Sequence, residues 1–313
     1  MRRPLLALLL AGALLPAAAF LGRVDFSGQG DFSENAITRG VRATRAQCDA
    51  VPNGLWATAA AGDGECLKYW ADGLQPGANR RVLVFLHGDI WVGAGKTSKR
   101  YLDASNESLQ RDARAWGKRL GVPYVFVGRP GTHGSSGDHM QRRRPAESRQ
   151  ISAALDVLKV RYGIEEFVVA GQSGGGHATA SLLTLRNDIV CAVPTSAPSS
   201  PKVRWMAHGW PRDSTGFADS YEPSEHLDKG RMHPQIRVFV LGNPADTNVV
   251  WPSQTILADR LQQAGVTVSL IEGEGTGPEA HGLSNSARLL ASWCAKDLPT
   301  EDILQRATGK LKG

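Results

Sequence analysis

The sequence predicts an α/β fold: a mostly parallel sheet with helices on both faces and a short lid-like insertion. Three observations carry that reading. From residue 81 onward short apolar runs alternate with helical patterns, the mark of βαβ units; the helical segments have recognisable ends; and one stretch, about 197–235, breaks the alternation.

The strand candidates are Val82 to Leu86, Tyr124 to Val127, Phe167 to Ala170, Ile189 to Val193, Val238 to Leu241 and Val266 to Ile271. Each is a short run rich in apolar residues, set between helical patterns. The segment after Arg144 opens with Pro145 in a first-turn position, repeats apolar residues at Ile151, Leu155, Leu158 and Tyr162, and stops at Gly163; it reads as a helix with its stripe on the sheet. The insertion is rich in proline, carries Trp205 and Trp210, and is too long for an ordinary connection, which points to a lid or binding loop. An irregular structural excursion is the plainer alternative. Upstream, LWATAA and GECLKYWA around Gly62-Asp63-Gly64 read as a hairpin.

At the N-terminus, Arg2 and Arg3 precede the apolar run Leu5 to Leu15, and Pro16-Ala17-Ala18-Ala19 supplies small residues for cleavage. Residues 1–19 are therefore expected to be a secretory signal and 20–313 a single domain. Pro16 interrupts the run, which argues against a membrane span. Four cysteines suit an oxidising compartment. Cys48 and Cys66 flank the hairpin, so a local bridge is expected there, while Cys191 in a buried strand also reads as a small hydrophobe. Without a CxxC pair a zinc ribbon has no support.

The 313 residues, 42% hydrophobic and 21% charged, exclude disorder and collagen-like repeats. Of the net charge of +6, Arg2 and Arg3 supply two, and no nucleic-acid motif accompanies the rest. Neither nucleic acid nor, after removal of the signal, a membrane is expected as a partner, and oligomeric state is not readable.

The chemistry centres on FVVAGQSGGGHATA, which places Gly171-Gln172-Ser173-Gly174-Gly175 after a strand and before a helix of small residues. A G-x-S-x-G run in that context forms a nucleophile elbow: the glycines let a strained turn expose Ser173, and the following helix N-terminus adds positive potential where an oxyanion would form. A glycine-rich turn with an incidental serine is the alternative. Elbow enzymes order the nucleophile, then the acid, then the base. His281, in the loop EGTGPEAHGL after the last strand candidate, stands where the base belongs. Asp246, in NPADTN after RVFVLG, is the choice for the acid that orients it, with Asp219 and Asp228 as runners-up. The oxyanion hole needs two backbone N–H donors: Gly174, and Asp89 or Ile90 after the strand RVLVFLHG. A carboxylate there would oppose the developing charge, so the Asp89 side chain is expected to turn away into hydrogen bonds. His87 and His177 read as structural.

These residues, with the strand and helix order, resemble the α/β-hydrolase superfamily over roughly residues 50 to 300. The second half looks most like the catalytic domain of prolyl oligopeptidase-type serine peptidases and the related single-domain esterases and dienelactone hydrolases. The matching features are Gly171, Ser173, Gly175 and Gly176, then YEPSEHLDKG before a strand, Asp246 followed by Val249, Pro252 and Ser253, and the AHGL histidine loop. The GNPAD loop departs from the His or Gly often found near the acid. The lack of a preceding propeller argues against a strict oligopeptidase.

Weaker signals remain. Gly95-Lys96-Thr97 echoes a phosphate loop but lacks its first glycine, since position 90 is Ile. His133, Asp138 and His139 suit either a metal or ordinary loop polarity, and no metal or cofactor is expected. Arg142, Arg143 and Arg144 suit an anionic substrate at the mouth of the site or a solvated basic face. The expectation is an exported, periplasmic or secreted, serine hydrolase acting through an acyl-enzyme, with Ser173, Asp246 and His281 catalytic and Trp205 and Trp210 walling the pocket. A carboxylic ester is the leading substrate class; a short peptide substrate, and a non-catalytic binding protein, are the alternatives.

Overall fold

In a computed structural model the chain is described over residues 22–59, 64–92, 96–308 and 311. The expected signal segment, the tip of the hairpin at Gly62 and Asp63, and Gly95 lie outside the described residues. The N-terminal part comprises β1 (Val24–Asp25), α1 (Glu34–Arg39), β2 (Val41–Arg42), α2 (Arg45–Asp49), β3 (Gly54–Thr58) and β4 (Gly64–Asp72). Then follow β5 (Asn79–Leu86), α3 (Lys99–Leu102), α4 (Asn106–Leu120), β6 (Tyr124–Val127), α5 (Pro145–Tyr162), β7 (Ile164–Gln172), α6 (Gly174–Leu182) and β8 (Ile189–Thr195). The last third carries α7 (Pro201–Ala207), β9 (Arg237–Gly242), α8 (Trp251–Gln263), β10 (Thr267–Glu272), α9 (Ser284–Ala295) and α10 (Thr300–Ala307).

Eight strands form one sheet in the order β10-β9-β8-β7-β5-β6-β4-β3. β4 runs antiparallel to both β3 and β6, and the remaining pairings are parallel. All six expected strands are present, most of them a residue or more longer, and the LWATAA/GECLKYWA hairpin is the β3–β4 pair. The predicted helix is α5, whose C-cap Gly163 adopts the left-handed conformation at φ 59° that glycine tolerates best. The insertion contains α7 and two short 3-10 turns at Pro223–Glu225 and Lys229–Arg231, where the sequence showed no period. β1 and β2 pair separately outside the main sheet.

Alternation along the strands divides the core. Val82, Val84 and Leu86 of β5 pack with Ile151, Leu155 and Leu158 of α5 on one face. Leu83 and Phe85 pack with Ala113 and Leu120 of α4 and Leu290 of α9 on the other. Because β5 through β10 run in one direction, their carboxyl ends share an edge, and the loops bearing Asp89, Arg129, Ser173, Asp246 and His281 converge there.

Two disulfides pin this arrangement, and such bonds form and persist in oxidising surroundings. Cys48 of α2 is bonded to Cys66 of β4, and Cys191, rather than packing as a free hydrophobe, is bonded to Cys294. The second bridge joins β8 to α9 across a sequence separation of 103. In the chain-entropy account a loop of that size is worth about 4–5 kcal/mol, against about 3 for a short one. The double variant Cys191→Ala/Cys294→Ala should therefore lose about 2–5 kcal/mol in urea melts. An unchanged midpoint would show that β8 and α9 are held without the bond.

Candidate active site

Ser173 sits between β7 and α6 at φ 58° and ψ −124°, a conformation that costs a non-glycine residue energy and exposes its side chain. Its N–H donates to the Thr195 carbonyl at 2.8 Å, fixing the turn to β8. The flanking glycines are required by space: a Cβ at Gly171 would run into the Gly175 carbonyl, and one at Gly175 into those of Leu86 and His87.

The structure brings His281 and Asp246 to this edge as a pair. His281 Nδ1 donates to Asp246 Oδ2 at 2.7 Å, with the carboxylate fully buried and the imidazole 17% exposed. Asp246 Oδ1 accepts the Asn248 and Val249 N–H groups at 2.8 and 2.9 Å. The two loops are stitched further: Thr247 N–H donates to Glu279 O, and Asn243 Nδ2 to Ala280 O at 2.8 Å. Gln172, beside Ser173, completes the frame. Its Nε2 donates to the His281 carbonyl at 3.0 Å, and its Oε1 accepts from Ser284 Oγ at 2.9 Å. With Nδ1–H committed to the carboxylate, Nε2 is left as the basic nitrogen. The runner-up acids lie elsewhere: Asp219 pairs with Arg144, and Asp228 caps Gly230.

Of the candidate oxyanion donors, the Gly174 and Asp89 N–H groups find no partner among the described residues. The Ile90 N–H is different: it donates to His139 Nε2 at 3.1 Å. That bond takes Ile90 out of the set and leaves Gly174 with Asp89.

No protein-family model and no curated protein matches the sequence. Solved structures do resemble the chain. The esterase Pf2001 of Pyrococcus furiosus aligns at TM-score 0.52 and 16% identity, over 82% of this chain and 92% of that one. Est1E of Butyrivibrio proteoclasticus, solved with ferulic acid bound, aligns at 0.50 and 14%, over 78% and 96%. A post-proline cleaving enzyme from Rickettsia typhi aligns at 0.52 and 15%, over 80% of this chain and 37% of its own. The chain has the α/β-hydrolase fold.

Within this α/β-hydrolase fold the edge at Asp89 and Gly174 rests on a buried ionic cluster that the sequence analysis did not foresee. The Asp89 side chain does turn into partners, and they are arginines: Oδ1 meets Arg129 Nη1 at 2.9 Å, and Oδ2 meets Arg142 Nε at 3.1 Å and Arg143 Nη1. Burial alone would raise the Asp89 pKa, but Arg143, Arg142 and Arg129 hold it well below the usual carboxylate range. Arg129 also binds Glu147 at 2.6 Å, and Arg143 binds Asp213 of the insertion at 2.7 Å. Arg142 and Arg143 are thus neither a solvated face nor an open anion site; Arg144 alone of the three reaches outward, to Asp219. Gly174 belongs to the same fit, because a Cβ there would strike Asp89 Oδ1. A charged residue directly after a buried strand, as in the GRPG run at Arg129, was the available sequence signal.

Histidines line the same region without converging on a metal. His87 accepts the Arg129 N–H at 3.2 Å, His177 Nε2 donates to the Tyr221 carbonyl at 2.8 Å, and Asp138 caps the Met140 N–H. Among the described residues no group of three metal-ligating side chains forms. Trp210 is exposed and stacks on His208 with centroids 4.3 Å apart, and Trp205 is half-buried on α7. Neither lines the cavity beside the elbow, whose walls come from the β5 and β6 loops, α3, α4 and α9. The insertion instead grips the acid loop: Arg204 Nε and His208 Nε2 both donate to the Asn248 carbonyl, at 2.9 and 3.0 Å.

Two outcomes follow from these buried charges. Asp89→Asn leaves three arginines short of an anion and should cost about 3–5 kcal/mol at neutral pH. Since the folded pKa lies below the unfolded one, that difference should be constant above about pH 5 and shrink only as pH falls below about 4. The histidines act earlier. Burial chiefly, with nearby arginines, pushes His133 to about 3 and His177 to about 4, and holds His87 and His139 well below 6.5. Below pH 6.5 the unfolded chain binds these protons and the folded chain does not, so stability falls with pH. His177→Gln keeps a donor for Tyr221 but removes one such proton; between pH 7 and 5 it should lose about 2 kcal/mol less than the parent. Equal slopes in calorimetric melts would show that His177 titrates normally.

Proposed function

We propose that the protein is a serine hydrolase that works through an acyl-enzyme. The observation carrying this reading is the buried Asp246–His281 pair, fastened by Gln172 to the strained turn that presents Ser173. Ser173 Oγ bonds to the substrate carbonyl carbon while His281 Nε2 takes the hydroxyl proton, and Asp246 holds the resulting imidazolium. The carbonyl oxygen, now an anion, is received by the Gly174 and Asp89 N–H groups. Collapse breaks the bond to the leaving group, which takes the proton from His281; water, activated by the same nitrogen, then releases the acid and restores Ser173.

Carboxylic esters are the proposed substrates, supported by an aromatic cavity beside the elbow and by the likeness to two esterases. Peptide hydrolysis is the second reading, favoured by the likeness to a post-proline cleaving enzyme. Trp205 and Trp210 are proposed as an outer contact surface for substrate. Export is proposed from the disulfides together with residues 1–19, and intact-mass analysis of the exported protein tests it.

Ser173→Ala should lower kcat by about 10⁴ to 10⁶ and abolish labelling by a fluorophosphonate, with unfolding unchanged. A variant retaining a tenth of the activity would end the proposal. Profiling p-nitrophenyl esters against aminoacyl and prolyl anilides separates the two substrate classes.

A further inference from the structure

The cavity beside the elbow encloses about 730 Å³. Gly88, Asp89 and Gln172, the last adjoining Ser173, are among its lining residues, and so is Arg288. Ser284, bonded to Gln172, and Arg288 are one turn apart on α9, about 6 Å along its axis. A molecule reacting at Ser173 can therefore reach Arg288 with its far end.

The charges of the lining sort into pairs with one remainder. Asp89 is held by its three arginines, Asp112 pairs with Arg100 at 3.2 Å, and Asp103 pairs with Lys99 at 3.1 Å. Arg288 meets no carboxylate among the described residues. Its guanidinium carbon lies 3.5 Å from the Phe85 ring centroid and 4.7 Å from that of Trp116, so aromatic rings cover the group. Nε donates to Tyr124 Oη at 3.0 Å and Nη1 to the Ser284 carbonyl at 3.2 Å. Nη2 donates to none of the described residues. Stacking and these two bonds fix the fork before any ligand arrives, which removes most of the ordering cost of binding a planar anion. Leu109, Tyr101 and Phe126 add apolar and aromatic wall.

We infer that this cavity takes the non-reacting end of the substrate and that Arg288 binds a carboxylate on it. The preferred substrates are then esters in which a planar, apolar body carries a second, free carboxylate. The inference rests on the serine-hydrolase reading and names the substrate class of that site.

Two pairs of esters test it, one with the charge on the leaving group and one with it on the acyl group: para-carboxyphenyl against para-carbamoylphenyl acetate, and methyl para-carboxybenzoate against methyl para-carbamoylbenzoate. In at least one pair, Arg288→Gln should lower the ratio of kcat/KM for the acid over that for the amide by about tenfold or more, mainly through KM. Arg288→Lys, which keeps the charge without the fork, should retain part of that preference. Unchanged ratios in both pairs, or an equal loss on acid and amide, would overturn the inference and leave Arg288 a structural stack. Should Arg288→Gln fail to fold, calorimetric titration of the parent and of Arg288→Lys with benzoate and benzamide decides. Binding of benzoate alone, weakened in the lysine variant, supports the inference, and equal binding or none refutes it. Benzoate binding needs no turnover, so a protein that binds it but resists fluorophosphonate sinks the hydrolase reading and not the anion subsite.

Discussion

The arrangement of the site depends on one buried carboxylate. Asp89 lies against Gly174, the first residue of α6, and is 5% exposed at its side chain. An anion so placed, if unpaired, would oppose charge developing on a substrate oxygen and would be costly to bury. Arg129, Arg142 and Arg143 remove both objections at once. They come from the β6 loop and from the turn before α5, and through Glu147 and Asp213 they tie in α5 and the insertion. A single neutralised charge therefore ties the β5 loop, the connection from β6 to α5, α5 and the insertion together beside Ser173. Breaking any arm leaves an uncompensated ion, which is why such clusters are rigid even where an apolar core would be as stable.

The opposite half of the site is held by weaker, more numerous bonds. The loops of Asp246 and His281 are bound to each other by backbone and side-chain hydrogen bonds, and Gln172 binds the result to the elbow. Besides Asp246, the charged groups on that side are Arg204 and Glu279, both bonded to Asn248 rather than to the imidazole. The division has a chemical logic. In the proposed reaction the imidazole gains and loses a proton in each cycle, and the bonds that join its loop to the Asp246 loop and to Gln172 are made by neutral groups. The Asp89 side carries no titrating group in that proposed cycle and can be built from ions.

How much of this was legible follows from how local each feature is. The strands β5 to β9 were readable because strands covered on both faces hold continuous apolar runs, edge strand β10 because its apolar residues alternate with Thr267 and Ser269, and α5 because Pro145 and Gly163 mark its ends. Ser173, Asp246 and His281 were readable because each follows a strand whose carboxyl end had already been placed. The hairpin β3–β4 was visible, but not that β4 inserts antiparallel beside β6, since pairing between distant strands leaves no local trace. For the same reason the partners of Asp89 were hidden: its counter-ions lie 40 to 54 positions away. Ile90 and Asp89 looked equivalent as amide donors until His139, also remote in sequence, claimed one of them. The insertion was recognised by its lack of period, yet its hold on Asn248 through Arg204 and His208 is a tertiary contact that composition cannot show.

Charge is thus managed differently around Asp89 and around Arg288. Near Ser173 three arginines meet three carboxylates, and the surrounding histidines are held neutral by burial. In the proposed reaction the local potential is then set by the amides of Gly174 and Asp89 and by the N-terminus of α6, which vary little with pH or salt. An unpaired carboxylate at that distance would act against the negative charge that develops on the substrate oxygen, and its three arginines cancel it. Interactions that do not change between ground state and transition state alter binding without accelerating the reaction. A charge that binds the non-reacting end of a substrate is of that kind. In the reading proposed above Arg288, stacked and without a carboxylate partner among the described residues, is the group that binds that end, so recognition would be separated from chemistry.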